Sequence, residues 1–482
     1  MFTDDSNTNE KMIVMYMDEM VGKDHLVRKI DKYVDFSFIR ELTRPYYCED
    51  NGRPAIDPVK LFKLPMIKYL FGIPSMRQTI KEIEVNAAYR WFLRIPFGEK
   101  VPSHSTYSQN YIRRFKGTDV FEQIFENILT QLIDHGLLDV KNIHIDSTHV
   151  KASANKKRYI KETVRQSKNV YEDELLTEVN EIREDEGDKP LKKNDKTKTK
   201  TKKVSKTDPD SGWYVKGEKE RQFAYSAHIG TDEHGYVLGV LSTPGNVHDS
   251  QAFKELYEKI NRRFRSAIHG VAVDSAYKTP LIVHQIIKNH HIPHMPYKRP
   301  MTRKGYFKKY EFVYDEYYDI VICPHLKTLH YKRTTRQGKR HFEANRKDCL
   351  NCPHKHKCTM SDHKQFDLSI HHKEMAYVED IRHTRHGKEV YKRRGKTVER
   401  IFGDFKEKHG GRYTHYRGLE KVSNEQLLVF AAMNIKKMAM YLDKTNKNKG
   451  SMSLSENIGR YFHRFFEKIK QKRHFDPSCI CA

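Results

Sequence analysis

The chain has 482 residues, room for roughly three domains of about 150 residues each, which excludes a peptide-sized or disulfide-stapled scaffold. Lysine and arginine number 89 against 63 aspartates and glutamates, a net charge of +26 before any of the 27 histidines is protonated, so a polyanion is the expected partner. No window approaches the roughly 18 consecutive apolar residues of a spanning helix, and the acidic, polar start lacks the pattern of a signal peptide; the chain reads as cytoplasmic, with no membrane partner.

Residues 1–137 read as helical throughout. Asp57-Pro58 is an N-cap followed by proline at the first helical position. The apolar face of Val59, Leu61, Phe62, Met66, Ile67, Leu70 and Phe71 runs on to a stop at Gly72. Pro65 is expected to kink this helix. Further helices are predicted over Ser75–Ile83, Ala87–Leu93 and Val120–Ile133. Lys63, Lys68, Arg77, Lys81, Arg90, Arg113, Arg114 and Lys116 give these helices basic faces. Such faces suit groove or phosphate contacts, or serve as the solvated side of a helical cap.

The period then changes from helical to extended. Ile143–Asp146, Phe223–Gly230 and Tyr236–Thr243 read as strands, the last two joined by a turn at 231–235. Asp249–Arg263 reads as an amphipathic helix, Gly270–Val273 as a buried strand, Thr279–Lys288 as a helix and Ile292–Pro296 as a final short strand. This order predicts an α/β fold, a mixed sheet flanked by helices over 138–300 and 374–442.

Two insertions interrupt it. Residues 159–207 carry nine acidic residues between Glu172 and Asp188, then eight lysines from Lys192 to Lys206. That composition predicts a solvated, mobile segment, either a loose charged loop or an arm on DNA phosphates. The second insertion, 301–373, holds Cys323, Cys349, Cys352 and Cys358, four of the seven cysteines. Four thiolates match the number a tetrahedral structural Zn²⁺ site needs; an iron–sulfur cluster, disfavoured because nothing here implies electron transfer, and free thiols are the alternatives. From Leu454 a basic amphipathic stretch could dock on the body, pair subunits or lie on DNA; residues 443–482 form a basic tail whose last four residues formally fit a prenylation box.

Three carboxylates stand apart from the rest. Asp146 and Asp274 each close a buried strand, and two such groups facing each other repel unless a cation neutralises them. Oxygen donors at that crevice suit Mg²⁺ or Mn²⁺. Glu399 lies on a basic helix over 390–406 whose core face is Val398, Ile401, Phe402 and Phe405. Lys406, seven residues on, shares the stripe of Glu399, with Gly403 between them permitting close approach. Asp404 is the competing carboxylate on another face. His248 and Asp249 read as a helix cap.

At these residues the chain resembles the DDE transposases of bacterial insertion sequences. The resemblance rests on Asp146-Ser147-Thr148, Asp274-Ser275-Ala276-Tyr277 and Val398-Glu399-Arg400-Ile401-Phe402-Gly403-Asp404-Phe405-Lys406. It extends to Pro244-Gly245-Asn246-Val247-His248-Asp249 and to a stretch from Gly52-Arg53-Pro54 to Ser105-Thr106. The family signature places a tyrosine seven and an arginine four residues before the glutamate. Here those positions are Lys392 and Gly395, with Tyr391 and Arg394 each one residue early.

The resemblance implies a ribonuclease H-like catalytic domain behind a helical DNA-binding domain. It implies that Asp146, Asp274 and Glu399 hold two Mg²⁺ ions, for which Mn²⁺ can substitute, and that Lys406, Arg400, Arg394 and Tyr391 contact DNA. The expected partners are element ends and target double-stranded DNA, with at least a homodimer in the synaptic complex. The expected activity is strand cleavage and strand transfer at terminal inverted repeats. Two alternatives remain at this point: a zinc-containing DNA-binding protein without catalysis, and a nuclease of the same fold.

Overall fold

The computed structural model describes residues 14–48, 55–165, 171–193, 199–218, 220–299 and 302–448. The Gly52-Arg53-Pro54 fragment, the stretch from Leu454 and the terminal prenylation box lie outside the described residues. The chain divides into two compact units, residues 1–138, 405–410 and 427–482 in the first and residues 139–404 and 411–426 in the second.

The first unit opens with α1 (Leu26–Tyr33), α2 (Phe38–Thr43), α3 (Pro58–Phe71), α4 (Met76–Val85), α5 (Ala87–Leu93), α6 (His104–Asn110) and α7 (Val120–Asp134). Their starts are written in side chains. Asp57, Ser75, Asn86 and Ser103 each accept a backbone N–H of the turn they open, satisfying donors a helix leaves unpaired. Gly72 ends α3 at φ 66°, where an added Cβ would stand 2.6 Å from the Lys408 carbonyl oxygen, so only glycine fits. Helix α3 continues through Pro65 without a break.

Three of the basic residues expected on exposed faces are buried: Lys63, Lys68 and Arg90. Helix α3 is covered on nearly all sides, so its lysines have inward partners. Lys63 Nζ lies 3.3 Å from Asp31 and above the rings of Phe36 and Phe92, and Arg90 donates to the carbonyls of Glu84, Pro96 and Glu99. Arg77, Lys81, Arg113 and Lys116 are exposed.

The second unit is mixed α/β. Its elements are β1 (Asn142–Lys151), β2 (Tyr159–Arg165), α8 (Glu172–Asp185), β3 (Thr199–Ser205), β4 (Gly212–Lys216), β5 (Glu220–Thr231) and β6 (Val237–Pro244). Next come α9 (Asp249–Phe264), β7 (Gly270–Val273), α10 (Pro280–Lys288) and β8 (Ile292–His294). The main sheet runs β4-β5-β1-β7-β8, with β6 also paired to β5. Strands β6, β5 and β1 are antiparallel neighbours, while β1, β7 and β8 are parallel, the parallel steps being spanned by α9 and α10. Helix α9 sits close on the sheet because Gly230 and Gly239 face Ile260; a Cβ at Gly230 would lie 2.2 Å from Ile260 Cδ1.

The charged insertion, expected to be a loop or arm, forms strands and a helix where it is described. Strands β2 and β3 pair antiparallel from Tyr159–Ser205 to Arg165–Thr199. The lysine run alternates with threonine, and β-branched residues at every second position suit a strand. Lys203 lies over the Tyr159 and Trp213 rings. Helix α8 buries Leu176 and Val179, which the acidic count had masked. Residues 166–170 and 194–198 of this insertion lie outside the described residues.

The cysteine-bearing insertion builds its own antiparallel sheet of β9 (Val313–Asp315), β10 (Ile320–Ile322), β11 (Thr328–Thr335), β12 (Lys339–Ala344) and β13 (Gln365–Ser369), in the order β13-β12-β11-β10-β9. Its core is Phe312, Val321, Leu329, Phe342, Ala344, Phe366 and Leu368. Short helices α11 (Arg346–Leu350) and α12 (Lys355–Cys358) precede β13, and α13 (His372–His383), α14 (Arg385–Lys408) and α15 (Leu419–Asn448) follow. Among the described residues no helix is long and apolar enough to cross a membrane.

Candidate active site at the strand edge

Asp146 and Asp274 become neighbours through strand pairing. The parallel ladder of β1 and β7 ends at Ile145–Val273, so each aspartate is the next residue along its chain. Asp146 does not close its strand as expected: β1 runs on to Lys151 through antiparallel pairing with β5. Each carboxylate is fixed by the following backbone N–H, Ser147 to Asp146 Oδ1 at 2.8 Å and Ser275 to Asp274 Oδ1 at 2.6 Å.

Burial pushes the Asp146 carboxyl up to about 6; the Arg394 guanidinium opposes this, while Asp274 and Asp249 add to it. Arg394 Nη2 donates to Asp146 Oδ2 at 2.7 Å from a side chain only 9% exposed. A buried aspartate beside other carboxylates retains its charge only with such a partner. The one-residue offset from the family spacing therefore does not remove Arg394 from this edge. Tyr391 is half-buried on the same helix, its hydroxyl pushed up first by burial and also by Asp274, Asp146 and Glu399.

Glu399 stands five residues after Arg394 on α14 and is exposed, its Oε1 turned back to 3.8 Å from where a Cβ on Gly395 would lie. Arg400 is exposed as well. Lys406, further along α14, belongs to the first unit. Gly403 is not a point of close approach: a Cβ added there meets nothing within 4 Å.

Asp249 carries more than the cap read from sequence. The capping group is His248, which accepts the Ser250 N–H. Asp249 instead accepts the Ser147 hydroxyl at 2.9 Å, and its carboxyl is pushed up by burial and by Asp274. Its place directly after Pro244–His248 was the available signal.

Cys323, Cys349, Cys352 and Cys358 line one hollow, beside Lys327, Lys355 and Lys364, and none of the four is in a disulfide. Burial pushes the Cys358 thiol up, Lys364 opposes this and the other three cysteines add to it. Among the described residues, three metal-ligand atoms converge within 4.8 Å in one group alone, Glu178, His284 and His371. Neither the three carboxylates nor the four sulfurs are drawn that close.

Comparison with known proteins locates two matches. Residues 15–113 match a family described as a transposase domain (DUF772), and residues 322–439 match one described as a transposase DDE domain. The second match contains Tyr391, Arg394, Glu399, Lys406 and all four clustered cysteines, whereas Asp146 and Asp274 lie outside both. Among solved structures the chain is similar to a cryo-EM structure of the piggyBac transposase synaptic complex with hairpin DNA. That similarity has 9% identity, covers 96% of this chain and 82% of that chain, and has a TM-score of 0.35. No curated protein matches.

Proposed function

We propose that the chain acts as a DDE transposase of the insertion-sequence kind, as its two transposase-domain matches support, and that Asp146, Asp274 and Glu399 are the carboxylates that hold its divalent ions. The observation that carries this is the ladder end of β1 and β7, where two aspartates sit side by side and one is bonded to Arg394 of the helix bearing Glu399. The donors suit the ions: carboxylate oxygens on neighbouring strands, with a raised Asp146, are what a pair of Mg²⁺ or Mn²⁺ ions would neutralise. Bound there, two such ions would activate a water or 3′-hydroxyl and stabilise the leaving oxygen of an in-line phosphoryl displacement.

The chain's own groups do the positioning. The Ser147 and Ser275 amides hold Oδ1 of each aspartate, while Asp146 Oδ2 accepts from Arg394. Arg394 keeps Asp146 ionised near neutral pH. Lys406, Arg400 and Tyr391 are assigned to DNA phosphates near the cut. The strand order β6-β5-β1-β7-β8, with antiparallel steps on one side of β1 and parallel steps on the other, supports a ribonuclease H-like reading of 138–300; of the expected segment 374–442, residues 374–404 and 411–426 share that unit, whereas 405–410 and 427–442 cluster with the first. Residues 1–137 are assigned to binding terminal inverted repeats, and Arg77, Lys81, Arg113 and Lys116 are their exposed cations.

In this reading 301–373 is a structural zinc module held by Cys323, Cys349, Cys352 and Cys358. A net charge of +26 favours DNA as partner, and joining two element ends calls for at least a dimer. The protein would work on the nucleoid in the cytoplasm.

The test is Mg²⁺-dependent cutting and joining of a plasmid that carries the gene's own flanking DNA, with the unaltered chain beside Asp274→Asn. Specific cuts and joined products, absent in the variant, support the assignment. Cuts without joining would turn it toward a nuclease. Tight binding without cutting by either protein, with Mn²⁺ and both ends present, would turn it toward a DNA-binding protein.

A further inference from the structure

Two histidines and two glutamates meet away from the strand edge, on three elements of the second unit. Glu178 comes from α8, His284 from α10, His371 from the residue before α13, and Glu374 from its first turn. Glu178 presents Oε1 to His284 Nε2 at 3.2 Å and Oε2 to His371 Nε2 at 3.1 Å. On the far side of both rings Glu374 reaches His284 Nδ1 at 2.9 Å and His371 Nδ1 at 3.5 Å. The rings stack with centroids 4.3 Å apart.

The protons at this cluster are too few or too costly. A neutral imidazole donates from one nitrogen only. If Nδ1–H points to Glu374, each Nε2 lone pair faces a Glu178 oxygen, acceptor against acceptor. Protonating His284 alone, which its two glutamates favour, still leaves His371 Nε2 and Glu178 Oε2 without a partner, and protonating both rings stacks two like charges. One dication between the Nε2 atoms and Glu178 resolves it, leaving both rings neutral and offsetting the two carboxylates. His371 Nε2, Glu178 Oε2 and Glu374 Oε2 are buried without a hydrogen-bond partner; the 3.1 Å pair is close but misaligned.

We propose that Glu178, His284 and His371 bind one Zn²⁺ ion or a similar transition-metal dication, with Glu374 as the outer carboxylate that orients both imidazoles. One carboxylate and two imidazoles are borderline donors that select such metals over Mg²⁺. Glu374 accepting from His284 Nδ1 at 2.9 Å, with its other oxygen 3.5 Å from His371 Nδ1, is the kind of outer carboxylate that fixes the tautomer and aims Nε2 at the ion. The ion ties three separate pieces together. Helix α8 belongs to the charged insertion, α10 covers the main sheet, and α13 leads out of the cysteine-bearing sheet toward α14. Helix α8 also touches that sheet directly, since Arg183 Nη1 donates to the Thr334 carbonyl at 2.6 Å. This site does not depend on how the strand-edge carboxylates are read.

The experiment uses the full chain, stripped with chelator and reloaded with Co²⁺. A site of nitrogen and oxygen donors gives visible d–d bands without the thiolate charge-transfer bands of a cysteine site, so the two centres separate in one spectrum. The expected result is that Cys349→Ser loses the charge-transfer bands and keeps a set of d–d bands, which Glu178→Gln and His371→Ala lose. Glu374→Gln should keep those bands with affinity for Co²⁺ lowered about 10–100-fold. Should His371→Ala fail to fold, the near-isosteric Glu178→Gln and Glu374→Gln carry the test. Equal Co²⁺ uptake and equal d–d bands in Cys349→Ser with and without Glu178→Gln would overturn the proposal and leave the cluster a protonated ion-pair ring.

Discussion

Two of the metal sites proposed for the second unit are built on opposite principles. At the strand edge the donors are oxygens, and Asp146 and Asp274 are held side by side with only backbone amides and Arg394 to keep them charged. In the cysteine hollow the donors are sulfurs, and Cys323, Cys349 and Cys358 pack against the core of Phe312, Leu329, Phe342 and Phe366. Thiols tolerate apolar neighbours and carboxylates do not. A sulfur site can therefore double as the centre of a small fold, whereas at the strand edge burial, with Asp274 and Asp249 adding to it, raises the affinity of Asp146 for protons. On the proposed roles, the difference separates a site that gives up stability to hold chemistry from one that supplies stability.

The sharpest break in that comparison is mutational. Asp146→Asn, Asp274→Asn and Glu399→Gln should each remove DNA cutting while leaving melting temperature and DNA binding near those of the parent, read by gel cleavage and by filter or shift binding. Cys349→Ser should do the reverse. Loss of a metal ligand belongs with the changes that cost more than about 4 kcal/mol, so its thermal unfolding midpoint should fall sharply while cutting per folded molecule persists. A cysteine variant that stays stable but stops cutting would erase the distinction.

How much of this could be read beforehand depended on whether neighbours in space were neighbours in sequence. Ala87–Leu93 and Gly270–Val273 were legible to the residue, because Asn86 caps the helix and four small apolar residues make a buried strand. Strand β3 was not, since charge counting saw lysines where the backbone used the alternating threonines. The burial of Lys63 depends on Asp31, Phe36 and Phe92, all distant in sequence. Arg394 reaches back 248 residues to Asp146, and no local spacing announces that. Glu178, His284 and His371 share no motif at all; only the folded chain brings them together.

Proton linkage sharpens the oxygen side. The Asp146 carboxyl stands at about 6 in the folded chain, above the usual aspartate range of roughly 4. The folded state therefore takes up its proton as pH falls through about 6, and a protonated carboxyl holds no cation. Cutting at limiting Mg²⁺ should fall off below that pH. Because Arg394 lowers this affinity for protons, Arg394→Ala should move the fall-off to higher pH, with activity lost near neutrality and partly regained in alkaline buffer. A pH–rate profile of both proteins measures this, and an unshifted profile would remove Arg394 from its charge-holding role.

The smallest expected effect tests the face of α14 beyond Glu399. Gly403 lies inside this helix with nothing within 4 Å of an added Cβ, so it is not glycine for want of room within the chain. Gly403→Ala should accordingly stabilise by about 0.5–1 kcal/mol through helix propensity, measured as a raised urea midpoint at unchanged slope. If cutting is unaffected, this face stays clear of substrate. If the variant is more stable and yet cuts poorly, the missing Cβ is space for DNA backbone rather than for protein, and the open strand edge extends along the helix past Glu399.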